Sequence, residues 1–353
     1  MVTTNSLDDR LEEPLGGERP LDVQGFDRPR ALLEAVEEDL VPLLEIANRP
    51  VVSARQFDRE QVVQLARLAA RYETQPQLIN RPLTGKILVS AFYEPSTRTR
   101  LSFESAWHRL GGDVMSITDP LSTGLAKGES LGDIGEMLNG YGDVVVLRES
   151  NERAVYEMLE TLQIPIVNAG NGSDEHPTQA LADVYALLKW RPELASGAEL
   201  EPARIGIIGV PSRMRTVRSL LILLPLFARG LDEIVVVTDE PEPFSPGQRR
   251  GLEEAGLRLR VSDDLDRELP NLDVAYINAI AWKGESYESL GKRFSLDARS
   301  PFKPGAIVLH PLARGSELDA SLDETPHNWY FAQARGAVFV RMALLSAMLK
   351  TYV

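Results

Sequence analysis

The residues best suited to chemistry lie in the segment Ser96–Arg100, which reads Ser-Thr-Arg-Thr-Arg. Its hydroxyl and guanidinium groups are donors that phosphate oxygens accept. An apolar helical face follows directly, formed by Phe103, Ala106, Trp107 and Leu110. The segment is therefore predicted to begin a helix, where unpaired backbone N–H groups and the positive end of the dipole face an anion. The sequence predicts a site for a small, doubly charged phosphate.

Other polar groups follow predicted strands elsewhere in the chain. Arg148 ends one apolar run, His176 and Gln179 flank the start of a predicted helix, and the segment His310–Arg314 follows the last run. Taken singly, each fits a helix cap or a surface ion pair equally well. However, ligands of open α/β sheets bind beyond the carboxyl ends of the strands, where all these residues are predicted to lie. Together they supply a cationic cradle with amide and imidazole donors for a carbonyl, which describes an acyl phosphate.

The elements that must position these residues alternate short β-rich runs with longer helical runs, beyond residue 50. This pattern predicts an α/β fold with two doubly wound parallel-sheet domains joined by a helix from about 178 to 189. The predicted strands are 86–92, 143–148, 164–168, 204–209, 234–238, 273–277 and 306–309. The predicted division is an extension at 1–48, domains at 49–188 and 189–325, and a C-terminal helix at 326–353.

Composition excludes several classes of protein. The 353 residues include no cysteine, so a disulfide scaffold, a thiolate metal site and a cysteine nucleophile are excluded, and a reducing compartment is favoured. The net charge of −14 argues against nucleic acid as a partner. No apolar run approaches the ~18 residues that cross a bilayer, and the first residues lack signal-peptide features. The sequence therefore predicts a cytoplasmic protein without a membrane partner.

The N-terminal region differs from the rest of the chain in charge. Residues 1–45 carry twelve acidic and four basic side chains, interrupted by proline and glycine. This composition predicts a partly flexible acidic arm. Leucine and valine then recur at helical spacing, at positions Leu32, Leu33, Val36, Leu40, Leu43 and Leu44. They predict one docking helix within the extension.

From about residue 50 onward, the chain resembles the aspartate and ornithine carbamoyltransferases. The resemblance rests on Ser96–Arg100, His176–Gln179 and His310–Leu312. Asn168–Gly170, Lys127–Ser130 and the segment 325–331 are closer to the aspartate branch. The resemblance implies one domain for carbamoyl phosphate, one for an amine acceptor, and a C-terminal helix that returns to the first domain. It also implies a homotrimer whose active sites lie between subunits.

The resemblance also implies roles for individual residues. The phosphate would be held by Ser96, Thr97, Arg98 and Thr99. The carbamoyl oxygen would be polarised by Arg148, His176 and Thr99, and its NH2 group held by Gln179 and the backbone of Pro311 and Leu312. A neighbouring subunit would contribute Thr123 and Lys127. The acceptor would contact Arg215, Thr216, Lys127 and the segment with Ala279 and Ala281. Arg98, Thr99, Arg148 and His176 are thus the candidate catalytic residues.

The implied mechanism needs neither a metal nor a cofactor, and it forms no covalent enzyme intermediate. A neutral amine attacks the carbonyl carbon while negative charge builds on the carbonyl oxygen. Each aligned donor at such an oxygen is typically worth ~3–4 kcal/mol. The departing phosphate can accept the amine proton, and holding both substrates in line supplies much of the remaining acceleration.

The acceptor segment departs from the family pattern. Aspartate enzymes of the family carry Arg and Gln where this chain has Ala279 and Ala281. Each lost charged hydrogen bond costs about 1.5–3 kcal/mol, so we expect the acceptor to be a small amino acid or amine without an aspartate carboxylate. One alternative is a genuine aspartate enzyme of pyrimidine synthesis, compensated by Lys283, Arg213 or Arg314.

A non-catalytic homologue that binds a ligand or scaffolds a complex is a second alternative. A dinucleotide-binding oxidoreductase is disfavoured, because the run Ile205–Pro211 lacks the third glycine of that motif. Finally, Ala313 stands where the family usually has a second proline after His310–Leu312, which predicts an altered loop there.

Overall fold

Two fully parallel sheets organise the chain in a computed structural model, which describes residues 25, 27–278 and 291–351. The first sheet has the order β2-β1-β3-β4, with β1 Ile87–Phe92, β2 Asp113–Ile117, β3 Val144–Glu149 and β4 Ile166–Asn171. The second has the order β7-β6-β5-β8-β9, with β5 Ala203–Ile208, β6 Leu231–Val237, β7 Leu259–Ser262, β8 Val274–Ile277 and β9 Ile307–Leu309. The predicted fold class is confirmed.

Helices connect the strands and cover the sheets. The α-helices of the described residues are α1 Arg28–Ala35, α2 Val41–Leu44, α3 Arg59–Thr74, α4 Thr97–Arg109, α5 Leu131–Leu138, α6 Ala154–Leu159, α7 Pro177–Trp190, α8 Glu193–Ser196, α9 Arg215–Leu223, α10 Gln248–Glu254, α11 Leu265–Glu268 and α12 Tyr330–Met348. Short 3₁₀ turns span Ala54–Gln56, Pro76–Leu78, Pro120–Ser122, Gly124–Lys127, Pro211–Arg213, Leu224–Gly230, Leu269–Asn271, Gly291–Phe294 and Ala320–Glu324. None of the described helices is long and apolar enough to cross a membrane.

The order of strands reverses once in each sheet, and these two points position the site. In the first sheet β1 lies between β2 and β3, with Phe92 beside Arg148. In the second sheet β5 lies between β6 and β8, with Ile208 beside Ile277. The connections that leave such neighbouring strands diverge to opposite faces and open a crevice at their carboxyl ends. Each sheet therefore offers one crevice at its carboxyl edge.

Two strands were not predicted from the sequence, and each lies at one edge of its sheet. β2 and β7 each form one edge of their sheet, opposite β4 and β9. Their residues are exposed or half-buried throughout, so neither shows the continuous apolar run of the central strands. The central strands carry that run because helices cover both of their faces, as in β3, where only the last residue is not buried.

The single N-terminal helix predicted from leucine spacing is wrong, because the structure breaks it into α1 and α2. Side chains of α3 capture the backbone between them: Gln64 Nε2 donates to the Glu37 carbonyl at 3.0 Å and Arg67 Nε to the Val36 carbonyl at 2.8 Å. Pro42 then fits the first turn of α2. The acidic arm at residues 1–24 lies outside the described residues.

The N-terminal helices nevertheless belong to the main core. Leu32 of α1 is fully buried in the same cluster as residues of α3 and α7. Leu32→Ala is expected to lower the free energy of unfolding by about 2–5 kcal/mol, because it removes buried methyl groups and leaves a cavity. Leu44→Ala, at a side chain that is 53% exposed, should change it by less than about 0.5 kcal/mol. Urea denaturation of both variants tests this, and equal stabilities would show that α1 merely rests on the surface.

The C-terminal helix returns to the first half of the chain. α12 packs against α3, α4 and α7 and is buried along most of its length. It carries Gln333 and Arg341 into the region below the first sheet's carboxyl edge, where both side chains are almost completely buried. The crevice of the first sheet is therefore completed by α12, which follows the second sheet in the chain.

Candidate active site

The start of α4 forms the first wall of the site. Ser96 is the N-cap and α4 begins at Thr97, as the sequence predicts, but the Ser96 hydroxyl makes no capping hydrogen bond. Within the described part of the chain, Arg98 pairs with no carboxylate, and burial lowers the pKa of its guanidinium. Donors that do not cap their own helix are available to an anion at its N-terminus.

A cavity of about 910 Å³ opens at this helix start and joins the two halves of the chain. From the first half it is lined by Ser96, Thr97, Arg98, Thr99, Arg148, His176 and Gln179. From the second half it is lined by Arg213, Arg215, Thr216, Asn278, His310, Pro311 and Leu312. From α12 it is lined by Gln333, Ala334, Ala337, Val338 and Arg341. Eleven of the fifteen predicted site residues thus meet in one space.

Glu94 binds two arginines that come from different halves of the chain. Its carboxylate accepts from Arg148 Nη2 at 2.8 Å and Nε at 3.0 Å, and from Arg215 Nη2 at 3.1 Å and Nη1 at 3.2 Å. Burial raises the pKa of Glu94, but the two guanidinium groups outweigh it and hold that pKa below its usual value. The carboxylate is thus ionised at neutral pH and fixes both arginines at the cavity wall.

His176 stands at the entrance of α7, as predicted from Pro177. It is the N-cap residue, and its backbone N–H donates to Ser219 Oγ at 2.8 Å. Its Nδ1 atom is buried and has no hydrogen-bond partner within the described residues. Burial, and then the charges of Arg148 and Arg215, lower its pKa well below the ordinary value. The imidazole is therefore neutral at neutral pH and can donate one hydrogen bond.

The loop after β9 forms the opposite wall, and internal hydrogen bonds hold it. The Leu312 backbone N–H donates to His310 Nδ1 at 2.7 Å, so His310 carries its proton on Nε2 and donates it to Glu317 at 3.0 Å. Both His310 and Glu317 are buried. Although Ala313 replaces the expected proline, Pro311 and Leu312 still line the cavity.

Three residues of the site were not identified from the sequence. Glu94 directly precedes the phosphate motif, and its place between two predicted arginines could have indicated its role. Arg341 donates to Ser102 Oγ at 2.6 Å, and burial lowers its pKa to about 10. Its sequence signal was a single charged residue in the otherwise uncharged stretch 336–348 of α12. Gln333 carried no such signal.

Four predicted residues are not placed at the cavity. Thr123 and Lys127 lie in the turn between β2 and α5, where the Thr123 hydroxyl donates to the Pro120 carbonyl at 2.7 Å. Neither lines the cavity of its own chain. Ala279 and Ala281 lie outside the described residues, as does Lys283, although Asn278 directly before them does line the cavity.

Of the other two proposed compensating cations, Arg213 lines the cavity and pairs with Glu240 at 2.8 Å. Arg314 instead pairs with Asp323 and does not line it. Within the described residues, no group of three or more His, Asp or Glu side chains is arranged to hold a metal ion.

Two domains of one protein family match consecutive parts of this chain. Residues 49–189 match "Aspartate/ornithine carbamoyltransferase, carbamoyl-P binding domain". Residues 202–348 match "Aspartate/ornithine carbamoyltransferase, Asp/Orn binding domain". The chain belongs to the aspartate/ornithine carbamoyltransferase family. The family resemblance and the enzyme class expected from the motifs are thereby confirmed.

This carbamoyltransferase aligns with its relatives over almost the whole length of each relative. The aspartate carbamoyltransferase catalytic subunit of Methanopyrus kandleri is 37% identical over 86% of this chain and 98% of its own. That of Thermococcus onnurineus is 35% identical over 87% and 98%. Among solved structures, aspartate transcarbamoylase from Trypanosoma cruzi in complex with carbamoyl phosphate and aspartate has a TM-score of 0.77 at 29% identity, covering 88% of this chain and 100% of that one.

Proposed function

We propose that this carbamoyltransferase moves the carbamoyl group of carbamoyl phosphate to the amino group of a small amino acid and releases phosphate. One observation supports this above the others. The anion-binding start of α4, the buried cation Arg148, the neutral imidazole of His176 and the amide of Gln179 converge on one cavity. The family names of both halves of the chain agree with this reading.

Each wall of the cavity would act on a different part of carbamoyl phosphate. The N–H groups at the start of α4, with Arg98 and the hydroxyls of Ser96 and Thr97, would hold the phosphate. Arg148, His176 and the Thr99 hydroxyl would donate to the carbamoyl oxygen, where charge grows as the amine attacks. Neutral His176 would donate a hydrogen bond without releasing its proton. The amine proton would pass to the leaving phosphate, which can accept it.

The acceptor would bind from the second half of the chain. Arg215 is held by Glu94 at the cavity wall, and its remaining donor capacity suits an α-carboxylate. Thr216 and Asn278 line the same wall. Because Ala279 and Ala281 lie one and three residues after Asn278, we propose that the acceptor side chain lacks the carboxylate of aspartate.

Aspartate is the second candidate acceptor, and two observations favour it. The relatives at 35–37% identity are named aspartate carbamoyltransferases. In addition, Arg213 brings a further cation to the cavity lining. If Arg213 exchanged Glu240 for a ligand, it could hold a second carboxylate.

A panel of amino acids distinguishes these acceptors. With carbamoyl phosphate present, phosphate release and the mass of the carbamoylated product are measured for aspartate, asparagine, alanine, serine and diamino acids. We expect kcat/KM for aspartate to be at least ~10-fold below that of the best acceptor, since each lost charged hydrogen bond costs about 1.5–3 kcal/mol. A strong preference for aspartate would instead establish the second candidate. If no amino acid of the panel gave phosphate release, both candidate acceptors would be contradicted.

We propose further that the enzyme is a homotrimer with active sites shared between subunits. Supporting this, the turn with Thr123 and Lys127 does not line the cavity of its own chain, and Leu121 beside it is 78% exposed. The proposed domains are 49–188 for carbamoyl phosphate and 189–325 for the acceptor, completed by 326–353, and the two family matches agree closely with them.

A further inference from the structure

Arg341 of α12 is a buried cation that lines the cavity. The residue is 2% exposed, and the proposed chemistry assigns it no role. Its Nη1 atom donates to Ser102 Oγ at 2.6 Å, and its guanidinium carbon lies 4.8 Å from the centre of the Phe103 ring. Its Nε atom is buried and has no hydrogen-bond partner within the described residues. Two contacts with α4 thus hold the side chain, and neither of them supplies a full negative charge.

Folding works against the charge of this side chain, because a buried cation costs free energy unless an anion pairs with it. Among the described residues, Asp183 is the acidic group that acts on Arg341 through space. Both Asp183 oxygens, however, are occupied by other donors. Those donors are Gln179, Gln333 and Tyr276. Burial lowers the pKa of Arg341 to about 10, and Asp183 offsets this only in part, so the guanidinium is charged at neutral pH without a direct partner.

The arginines of the cavity differ in what balances their charge. Five arginines of the described chain line it. Three of them pair with the carboxylate of Glu94 or with that of Glu240. The other two, Arg98 and Arg341, pair with no carboxylate of the described residues. Two unpaired cations in one cavity match the two negative charges of a phosphate group, which guanidinium groups bind well.

We propose that Arg341 is a further binding residue, whose charge is balanced by the phosphate group of the substrate when that group enters the cavity. The proposal rests on the proposed function, since it assumes that carbamoyl phosphate occupies the cavity. The phosphate would then be matched by one cation on α4 and one on α12, two helices that are far apart in the chain. Buried surroundings strengthen such an interaction, because the local dielectric constant is low.

A purely structural role for Arg341 predicts a different response to the loss of its charge. If Arg341 served only to fasten α12 to α4 through Ser102, its replacement would lower the stability of the ligand-free protein. If its charge is instead balanced by a bound anion, replacement by a neutral side chain should raise that stability and weaken anion binding at the same time. Binding sites commonly hold groups that destabilise the free protein. The two roles are therefore separated by the sign of the stability change.

The test uses Arg341→Met in the full chain, because methionine is uncharged, unbranched and flexible enough to fill the space. Calorimetry measures Kd for two probes, inorganic phosphate and phosphonoacetamide, a stable analogue of carbamoyl phosphate. Both Kd values should rise about 10- to 100-fold, as expected for the loss of a charged hydrogen-bond donor. The melting temperature without ligand should rise by about 1–3 °C, since a buried charge without a direct partner is removed.

Three companion variants separate the charge of Arg341 from its contacts. Arg341→Lys keeps the charge but not the planar fork, so both Kd values should stay within about 5-fold of the parent values. Ser102→Ala removes the protein contact but not the charge, so both should stay within about 3-fold. Arg335→Met is the matched control on α12. Arg335 is 54% exposed, pairs with Glu73 at 3.2 Å and does not line the cavity, so its replacement should leave both Kd values unchanged.

Parent-like binding of phosphate by Arg341→Met would overturn the proposal. A lower melting temperature of ligand-free Arg341→Met would also overturn it, because a fastening role would then account for any loss of binding. Binding requires no turnover, so both outcomes leave the proposed reaction standing if the parent releases phosphate with an acceptor. Conversely, a parent that binds both probes but carbamoylates no acceptor would refute the proposed function, and the role of Arg341 would still be decided by the Kd values. A parent that binds neither probe would overturn both proposals.

Discussion

Arg98→Ala is expected to lower kcat/KM for carbamoyl phosphate about 10³-fold, the loss that accompanies removal of a charged donor aimed at developing negative charge. Arg98 lines the cavity at the first turn of α4 and pairs with no carboxylate among the described residues. Its charge is therefore available to the phosphate, which gains negative charge as it leaves. Steady-state phosphate release, with each substrate varied in turn, measures the loss.

The design of that experiment separates charge from geometry and from folding. Arg98→Lys keeps the charge but loses the planar fork, so we expect intermediate activity. Arg250→Ala serves as a control, because Arg250 is 84% exposed and its pair with Glu254 lies on the surface helix α10. Since Arg98 holds no protein partner in the described structure, its replacement should leave the melting temperature unchanged. Parent-like turnover in Arg98→Ala would refute the phosphate site and the function built on it.

Glu94→Gln is expected to lower kcat/KM about 10²-fold, because breaking a half-buried ion pair costs about 2–3 kcal/mol once its partial exposure is allowed for. Glu94 holds Arg148 and Arg215 together through four hydrogen bonds. The amide of glutamine keeps the shape of the carboxylate but must turn its NH2 toward one guanidinium group. The two arginines would then repel each other at the place where both substrates bind.

Kinetics can assign that loss to a domain. Arg148 comes from the first half of the chain and Arg215 from the second, so KM should rise for carbamoyl phosphate and for the acceptor alike. Glu157→Gln is the matched control, since Glu157 pairs with Arg153 on the exposed side of α6. An effect on only one substrate would show that Glu94 positions only one arginine. No effect on either would contradict its role as the link between them.

The sequence predicted the central architecture because the central strands are buried on both faces. Such strands read as continuous apolar runs, and seven buried runs were found with errors of a few residues, including those of the edge strands β4 and β9. The edge strands β2 and β7 were missed because exposed faces interrupt their apolar pattern. The break between α1 and α2 was missed because Gln64 and Arg67, on a different helix, capture the backbone there. Helical spacing within one segment carries no information about such distant donors.

The site could be predicted to the extent that its residues lie in short motifs at strand ends. Ser96–Arg100, Arg148 and His176 with Gln179 were placed correctly, because parallel strands bring their carboxyl ends to one edge. Gln333 was missed because it acts from a helix interior, where an uncharged polar residue carries no local signal, and Arg341 was missed although it is a charged residue within an apolar stretch. The contribution of Thr123 and Lys127 stays a prediction, since one chain cannot show what it offers to a neighbour.

The path of α12 has a consequence for biosynthesis. Its packing partners α3, α4 and α7 all precede residue 191, whereas α12 itself begins at Tyr330. The second sheet is thus inserted between two parts of the first folding unit. A nascent first half emerging from the ribosome, at roughly 5–20 residues per second, must wait for almost the whole remaining chain before its apolar helices are covered. The first half can therefore complete its core only after the second sheet has been synthesised, and its apolar helices are open to chaperones during that interval.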